Sequence, residues 1–402
     1  MGASKAESVG MSEARLERIG PAMRSYVDRG VYAGVNTIVS RRGIVVHSGQ
    51  YGEIAADTIF RWYSMTKPIV STALMMLYEE GKFRLIDPVA RYIPAFAKLK
   101  VLEPGGARVD CKRPMNVRDV LTHTSGLSYG FLQDSAVSDM YDDAKLMNPK
   151  IPLAEAIDDL ARYPLAFQSG ARWHYSIGID VAARLIEVIS GQSVAEFLSE
   201  RLFAPLGMAD TGYSVPPQKR DRLATMYGRP DLVAPGVKIL NNMRLWMQGF
   251  NERIDVSESY PVDAPETFQR GGLGLFGTAP DYLRFAQMLC NGGQFDGVRY
   301  LSRKTLELMH SNHLPAALLP YELAGFPSPG YGFGLGSRVA MDPAQTGTST
   351  STGEFGWAGA AKTYFWVDPV EQIVGVFMTQ SMTSFDLPEN DLRAVVYGAI
   401  VD

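Results

Sequence analysis

The β-forming residues of this chain gather near its two ends, and the long stretch between them reads as helix punctuated by proline and glycine. Near the N-terminus, Val35 to Ser40 and Ile44 to Ser48 are β-rich runs joined by Arg41-Arg42-Gly43, the pattern of a hairpin. Near the C-terminus, Thr363 to Val367 and Ile373 to Thr379 flank a turn at Asp368-Pro369, and Leu392 to Ile400 reads as a closing helix. Ser12 caps an opening helix in which Leu16, Ile19, Met23 and Tyr26 step by three and four before Gly30 stops it. The expected fold is α/β of the α+β sandwich kind: one antiparallel sheet flanked by N- and C-terminal helices, with a large, mostly helical domain inserted. Residues 1–67 and 326–402 form the sheet domain in this reading, 68–325 the helical one, and the groove between them is the natural place for a small molecule. Within the helical part, Gly191 ends one helix and the capping box Ser193-Val194-Ala195-Glu196 starts the next.

Where the chain enters that helical part it carries Ser64-Met65-Thr66-Lys67. Apolar residues are dense from Thr66 to Phe83, including Ile69, Val70, Leu74, Met75 and Leu77, so the segment reads as a buried helix. Residues three apart share a helix face, which brings the Ser64 hydroxyl and the Lys67 amine together at a helix N-terminus. There the backbone amides and the dipole favour negative charge on a substrate oxygen. Such a pair lets serine attack an acyl group without histidine.

The bulk properties narrow the field. A chain of 402 residues, 46% hydrophobic and 20% charged, is long enough for a large core. The formal charge of -4, with no lysine or arginine run, argues against nucleic acid as a partner. The first residues lack the apolar core of a secretory signal, and no apolar run is long enough for a membrane span, so a cytoplasmic protein that does not use a membrane is expected. Position 6 is alanine, which leaves a myristoylation signal at Gly2 incomplete. Cys111 and Cys290 lack metal-ligand spacing and read as two buried thiols, and His310 and His313 as packing or surface residues without a third ligand. No cofactor and no metal is expected.

Ser-x-x-Lys turns up by chance about once in a chain of this length, so its companions matter. Tyr175 stands just ahead of a helix from Val181 to Ile189, and Trp357-Ala358-Gly359 just ahead of the strand Thr363 to Val367. In this order the serine, lysine, tyrosine and glycine-ending triplet resemble the three motifs of the serine β-lactamase and penicillin-binding protein superfamily. Leu121-Thr122-His123-Thr124-Ser125-Gly126-Leu127, Phe203-Ala204-Pro205-Leu206-Gly207-Met208 and the stretch Gly274 to Tyr282 extend the likeness along nearly the whole chain to class C β-lactamase-like proteins. Within that group the chain resembles the family VIII carboxylesterases: Ile177 stands where class C enzymes have asparagine, and Trp357 replaces the lysine of Lys-Thr-Gly. A lysine there attracts a β-lactam carboxylate, whereas Trp357 offers an apolar face and one indole donor, and Ala358 removes the next hydroxyl. Nearby Lys362-Thr363 is an unsuitable substitute, with Tyr364 in the glycine position and the pair expected inside the strand.

The resemblance implies a serine carboxylesterase acting on short- to medium-chain acyl esters. Ser64 is the nucleophile, Lys67 or Tyr175 the base, and the oxyanion is held by the amides of Ser64 and Ala360, with Trp357 and Gly359 beside the substrate. A β-lactamase, DD-peptidase or acyltransferase using the same site is the alternative, and a silent ligand-binding relative is a third. Which small-molecule ester is used and how many copies assemble stay open.

Other motifs compete less well. Gly126-Leu127-Ser128-Tyr129-Gly130 has the Gly-x-Ser-x-Gly pattern of α/β-hydrolases, but lacks a strand before and a helix after. Gly272-Leu273-Gly274-Leu275-Phe276-Gly277 matches a dinucleotide fingerprint without the apolar strand it needs, and reads as a close-packed turn before a helix capped at Thr278. His174 reads as a hydrogen-bonded structural residue. Leu240 to Phe250 is an acyl-pocket or core segment, and the polar stretch Leu132 to Lys150 a lid or a solvated connection.

Overall fold

A computed structural model describes residues 5–132, 134–228, 231, 252–323, 325–382 and 388–402. Its centre is a seven-stranded antiparallel sheet. The strands run in the order Tyr331–Phe333, Arg338–Ala340, Phe355–Ala358, Tyr364–Asp368, Ile373–Met378, Gly34–Arg41 and Ile44–Gly52. The two ends of the chain meet in the middle of this sheet, where Thr37 lies opposite Phe377 and Val39 opposite Gly375. Every residue of Gly34–Arg41 and of Ile373–Met378 is buried, because both faces of the sheet are covered.

The Ile19–Asp28 and Pro388–Tyr397 helices cover one face, with Ile19, Met23, Tyr26, Leu392 and Val396 packed on Val35, Trp366 and Phe377. The Ala279–Cys290 helix covers the other and joins the sheet to the larger core. The opening helix differs from the expectation. It is two pieces, Glu13–Leu16 and Ile19–Asp28, because Pro21 has no amide to bond back to the Glu17 carbonyl.

The expected hairpin forms, with Ile44–Gly52 running past the predicted end at Ser48. Trp357 and Ala358 stand ahead of the strand Tyr364–Asp368 as expected, and themselves lie within a further strand, Phe355–Ala358, that pairs with it. Lys362-Thr363 sits in the turn between these two strands, not inside either. The three strands from Tyr331 to Ala358 are too short, and too interrupted by Gly334 and Gly336, to show as alternating runs.

Among the described residues between Gly52 and Tyr331 the regular structure is mostly helix, with short two-stranded pieces such as Lys100–Leu102 with Arg108–Asp110. The Thr66–Glu79 helix runs through its core, buried from Thr66 to Leu77 and packed against the Gly178–Ser190 helix. It stops four residues short of the predicted Phe83, and the chain turns at Gly81 with φ 69°. The capping box at Ser193 is formed: Glu196 N donates to Ser193 Oγ at 3.2 Å and Ser193 N to Glu196 Oε2 at 2.9 Å. Cys111 and Cys290 are free thiols, half-buried rather than fully buried. Among the described residues no helix is long and apolar enough to cross a membrane.

Candidate active site

Ser64 lies in a single helical turn, Tyr63–Met65, that feeds directly into the Thr66–Glu79 helix, one turn earlier than the helix proper. That turn is strained and tightly clamped. Tyr63 is left-handed at φ 47°, a conformation costly for a side chain with a Cβ, and its ring is held 4.6 Å from that of Tyr260. Trp62 N donates to the Leu275 carbonyl at 3.0 Å, Leu275 N to Thr66 Oγ1 at 3.3 Å, and Tyr282 OH to the Met65 carbonyl at 3.0 Å. The glycine run 272–277 is therefore a packing surface for the Ser64 turn, as its lack of a preceding strand implies. A Cβ on Gly277 would fall 2.3 Å from the Trp62 ring.

The three side chains from distant parts of the sequence meet. Lys67 Nζ donates to Ser64 Oγ at 3.1 Å and to the Gly272 carbonyl at 2.7 Å, and Tyr175 OH donates to Ser64 Oγ at 2.6 Å. Ser64 is half-buried and so can be reached, whereas Lys67 is 1% exposed and Tyr175 8%. Lys67 Nζ also stands 4.6 Å from the Tyr175 ring centre and 5.3 Å from that of Tyr129. Burial lowers the Lys67 pKa to about 7, against a smaller opposing pull from the Asp180 carboxylate. Burial raises the Tyr175 phenol, while bonding to Ser64 and the nearby Trp357 indole holds it down in part. Close to neutral pH the amine is thus a better proton acceptor than the phenol.

Tyr175 stands in the loop before the Gly178–Ser190 helix and is fixed by a cluster of rings. Its ring centre lies 4.8 Å from His123, 5.3 Å from Tyr129 and 5.8 Å from Trp357. His123 accepts from Ser176 N at its Nδ1 at 3.2 Å, and burial together with Lys67 keeps it neutral, far below the usual histidine range. It is a structural support rather than a base.

The third motif closes the site from the end of the Phe355–Ala358 strand. Trp357 is buried, facing Phe333 at 5.3 Å as well as Tyr175, and brings no cation. After it the chain turns sharply: Gly359 N donates to the Thr363 carbonyl at 2.7 Å, Lys362 N to the Gly359 carbonyl at 3.0 Å, and Thr363 Oγ1 to the Trp62 carbonyl at 3.2 Å. The last bond ties the turn that holds Gly359 and Ala360 to the residue two before Ser64. A Cβ on Gly359 would lie 2.2 Å from Thr363 Oγ1 and 2.4 Å from the Trp62 carbonyl oxygen, so this position admits only glycine.

The rival serine has partners that the sequence did not connect. Ser128 Oγ is 3.0 Å from His174 Nε2, and His174 Nδ1 is 3.6 Å from Asp134 Oδ2, in the order of a serine, histidine and acid chain. Ser128 has no exposed surface, and the segment around it follows a short helix rather than a strand, so no acyl group can reach it there. The Leu132 to Lys150 stretch, far from being a plain connection, folds into an Ala136–Asp143 helix capped by Ser135 and supplies Asp134 to this chain. His310 stacks on Phe355 at 3.4 Å, and His313 bonds the Leu308 carbonyl at 2.8 Å, so both are packing residues. No group of histidine, cysteine, aspartate and glutamate among the described residues could hold a metal ion. A surface pocket of about 480 Å³ lined by Phe96, Cys111 and Met115 includes none of Ser64, Lys67, Tyr175 and Trp357. Leu240 to Phe250 lies outside the described residues.

Sequence reasoning missed a buried polar group behind Lys67, made of Asp180, Arg270 and Tyr129. A lone acid in the otherwise apolar first turn of the Gly178–Ser190 helix was the available signal.

Comparison with known proteins bears on this arrangement. The family model described as Beta-lactamase matches residues 21–399. An uncharacterized protein of Mycobacterium tuberculosis is 34% identical over 94% of this chain and 92% of its own length. Esterase EstB of Burkholderia gladioli is 29% identical over 83% of this chain and 82% of its own. Among solved structures, EstCE1, described as a hydrolase with promiscuous acyltransferase activity, superposes with a TM-score of 0.78 at 24% identity over 96% of this chain and 99% of that one. The relation to family VIII carboxylesterases and the mixed α/β fold expected from the motifs agree with these matches. With the model spanning nearly every element of the sheet and both helical layers, the chain belongs to the beta-lactamase family, whose fold here is that of a hydrolase.

Proposed function

We propose that the protein is a serine carboxylesterase that hydrolyses short- to medium-chain acyl esters through an acyl-enzyme on Ser64. The observation that carries this reading is the pair of hydrogen bonds converging on Ser64 Oγ, from an amine whose pKa burial lowers to about 7 and from a phenol. Lys67, as the free amine, takes the proton from Ser64 while Oγ attacks the ester carbonyl. The oxyanion is held by the amides of Ser64 and Ala360. Tyr175, hydrogen-bonded to Oγ, passes its proton to the departing alcohol and is reprotonated from Lys67. Water then attacks the acyl-enzyme, its proton returning along the same route, and Ser64 is released.

Trp357 supports neutral esters as substrates. An apolar wall stands where a carboxylate-binding cation would favour a β-lactam, and the aromatic crowding by Tyr129, Tyr175 and Phe333 favours acyl chains of modest length. The discriminating assay compares p-nitrophenyl acetate and butyrate with a chromogenic cephalosporin, and the esters are expected to turn over while the cephalosporin is poorly hydrolysed. Efficient cephalosporin hydrolysis without esterase activity would overturn the assignment.

A second reading, acyl transfer to an alcohol, uses the same acyl-enzyme with an alcohol in place of water. It is supported by a 26% identical relative named monacolin J acid methylbutanoyltransferase of Aspergillus terreus, which covers 80% of this chain. Product analysis with added alcohol separates the two.

The base assignment has a pH signature. Protonation removes the acceptor, so kcat/KM is expected to fall about tenfold for each pH unit below the amine's pKa of about 7. A flat profile through neutrality, measured with p-nitrophenyl butyrate, would exclude Lys67 as the acylation base.

A further inference from the structure

We infer that Asp180 and Arg270, two buried residues that do not touch Ser64, form the charge pair that determines when Lys67 is free to accept a proton. The inference rests on the esterase reading and adds its regulation by charge. Both residues would act through Lys67 and are positioning residues.

The geometry starts from a close crossing. The Gly271-Gly272 backbone passes the first turn of the Gly178–Ser190 helix so tightly that a Cβ on Gly271 would lie 2.0 Å from the Ile179 carbonyl oxygen. A Cβ on Gly272 would lie 2.4 Å from Tyr129 OH, 2.6 Å from Asp180 Oδ2 and 3.4 Å from Lys67 Nζ. Phenol, carboxylate and amine thus converge on one backbone position, and the Gly272 carbonyl pins the amine there. Asp180 has no exposed surface, and its carboxylate is approached by the backbone amides of Gly271 and Gly272. Tyr129 OH is buried with no hydrogen-bond partner among the described residues.

Arg270, two residues before Gly272, is 1% exposed. Its Nη2 donates to the carbonyls of Asn148 at 3.0 Å and Ile151 at 2.8 Å, while Nε and Nη1 have no partner among the described residues. A guanidinium stays charged at any working pH, and a buried charge needs a counter-charge. Of the groups acting on Arg270, Asp180 exerts the strongest pull, followed by Tyr213 and Glu187. The other groups around Lys67 and Asp180 are Tyr175, Tyr129, Tyr213 and His123, of which the phenols are raised and the imidazole is lowered by burial, so all stay neutral near pH 7.

The charge count then decides the outcome. Glu187 is paired with Arg184 at 2.9 Å; apart from it the pocket holds one carboxylate, Asp180, and two basic groups, of which the amine and not the guanidinium can lose its proton. Burial raises the Asp180 carboxyl, and Arg270 opposes this most, followed by Lys67; with Asp180 and Arg270 balancing one another, Lys67 is left as the group that releases a proton. Remove the negative charge and Lys67 loses its proton more readily; remove the positive charge and it keeps it longer.

The test follows the pH dependence of Ser64 labelling by a fluorophosphonate, read by mass spectrometry, with p-nitrophenyl butyrate turnover measured alongside. In Asp180→Asn the acid limb is expected to move down by about one pH unit or more, and in Arg270→Met up by a similar amount. Arg270→Lys, which keeps the charge, should leave it near the wild-type position. Circular dichroism checks folding of each variant. Should either single variant fail to fold, Asp180→Asn combined with Arg270→Met keeps the pocket balanced and is expected to restore the wild-type limb; a limb displaced in the folded double variant overturns the inference. Shifts of the same sign in the two single variants, or none, overturn it as well, while a wild-type Ser64 that is never labelled overturns the esterase reading itself.

Discussion

Replacing Ser64 by alanine is expected to lower ester turnover by about 10⁴-fold or more, with the fold unchanged. The size follows from what the hydroxyl does. In the proposed mechanism it forms the covalent bond to the acyl group, and no neighbouring group can take its place, since Lys67 and Tyr175 are both buried. Little structure depends on it, because the turn that carries it is held by Trp62, Thr66 and Tyr282 rather than by the Ser64 side chain. Ser128→Ala in the Gly-x-Ser-x-Gly segment is the matched control. Losing the bond to His174 costs about 1 kcal/mol of stability, but turnover should stay within a few-fold of wild type. Initial rates with p-nitrophenyl butyrate and thermal melts of both variants check this, and the opposite ranking would move the nucleophile to Ser128.

Lys67→Met should lower kcat by roughly 10³-fold, the scale of a lost general base. Methionine is close in length and suits a site that is 1% exposed, so the packing of the Thr66–Glu79 helix is kept. What goes is the proposed proton acceptor at 3.1 Å from Ser64 Oγ, and with it the acid limb expected near pH 7. Tyr175→Phe keeps the ring against His123 and Trp357 but removes the 2.6 Å bond. If the amine is the acylation base, the Tyr175→Phe enzyme retains the limb at its reduced rate while the Lys67→Met enzyme loses it. The reverse pattern would make the phenol the base.

Much of this protein was legible along the chain because the signals were local. The 66–79 helix declared itself by a nearly unbroken apolar run, the 34–52 hairpin by its β-rich strands and turn, and the Ser193 helix by its cap. The Ser64 and Lys67 pair needed only helical spacing, and their order with Tyr175 and Trp357 was enough to suggest the family. Strand edges were less visible. The strands from Tyr331 to Ala358 are short and take their stability from neighbours in the sheet, which leaves little alternation to read.

Only the tertiary structure decided how the parts act together. It brought a phenol 111 positions away to within 2.6 Å of Ser64 Oγ. It also showed that Ser128 is sealed despite a histidine and an acid in line with it, because burial depends on the whole core and not on a motif. The same packing removed water from Lys67 and set Asp180 and Arg270 behind it. Residue types and spacing determined which groups are available, but whether an amine is charged at neutral pH depends on desolvation and on charges contributed by remote segments, and those exist only once the chain has folded.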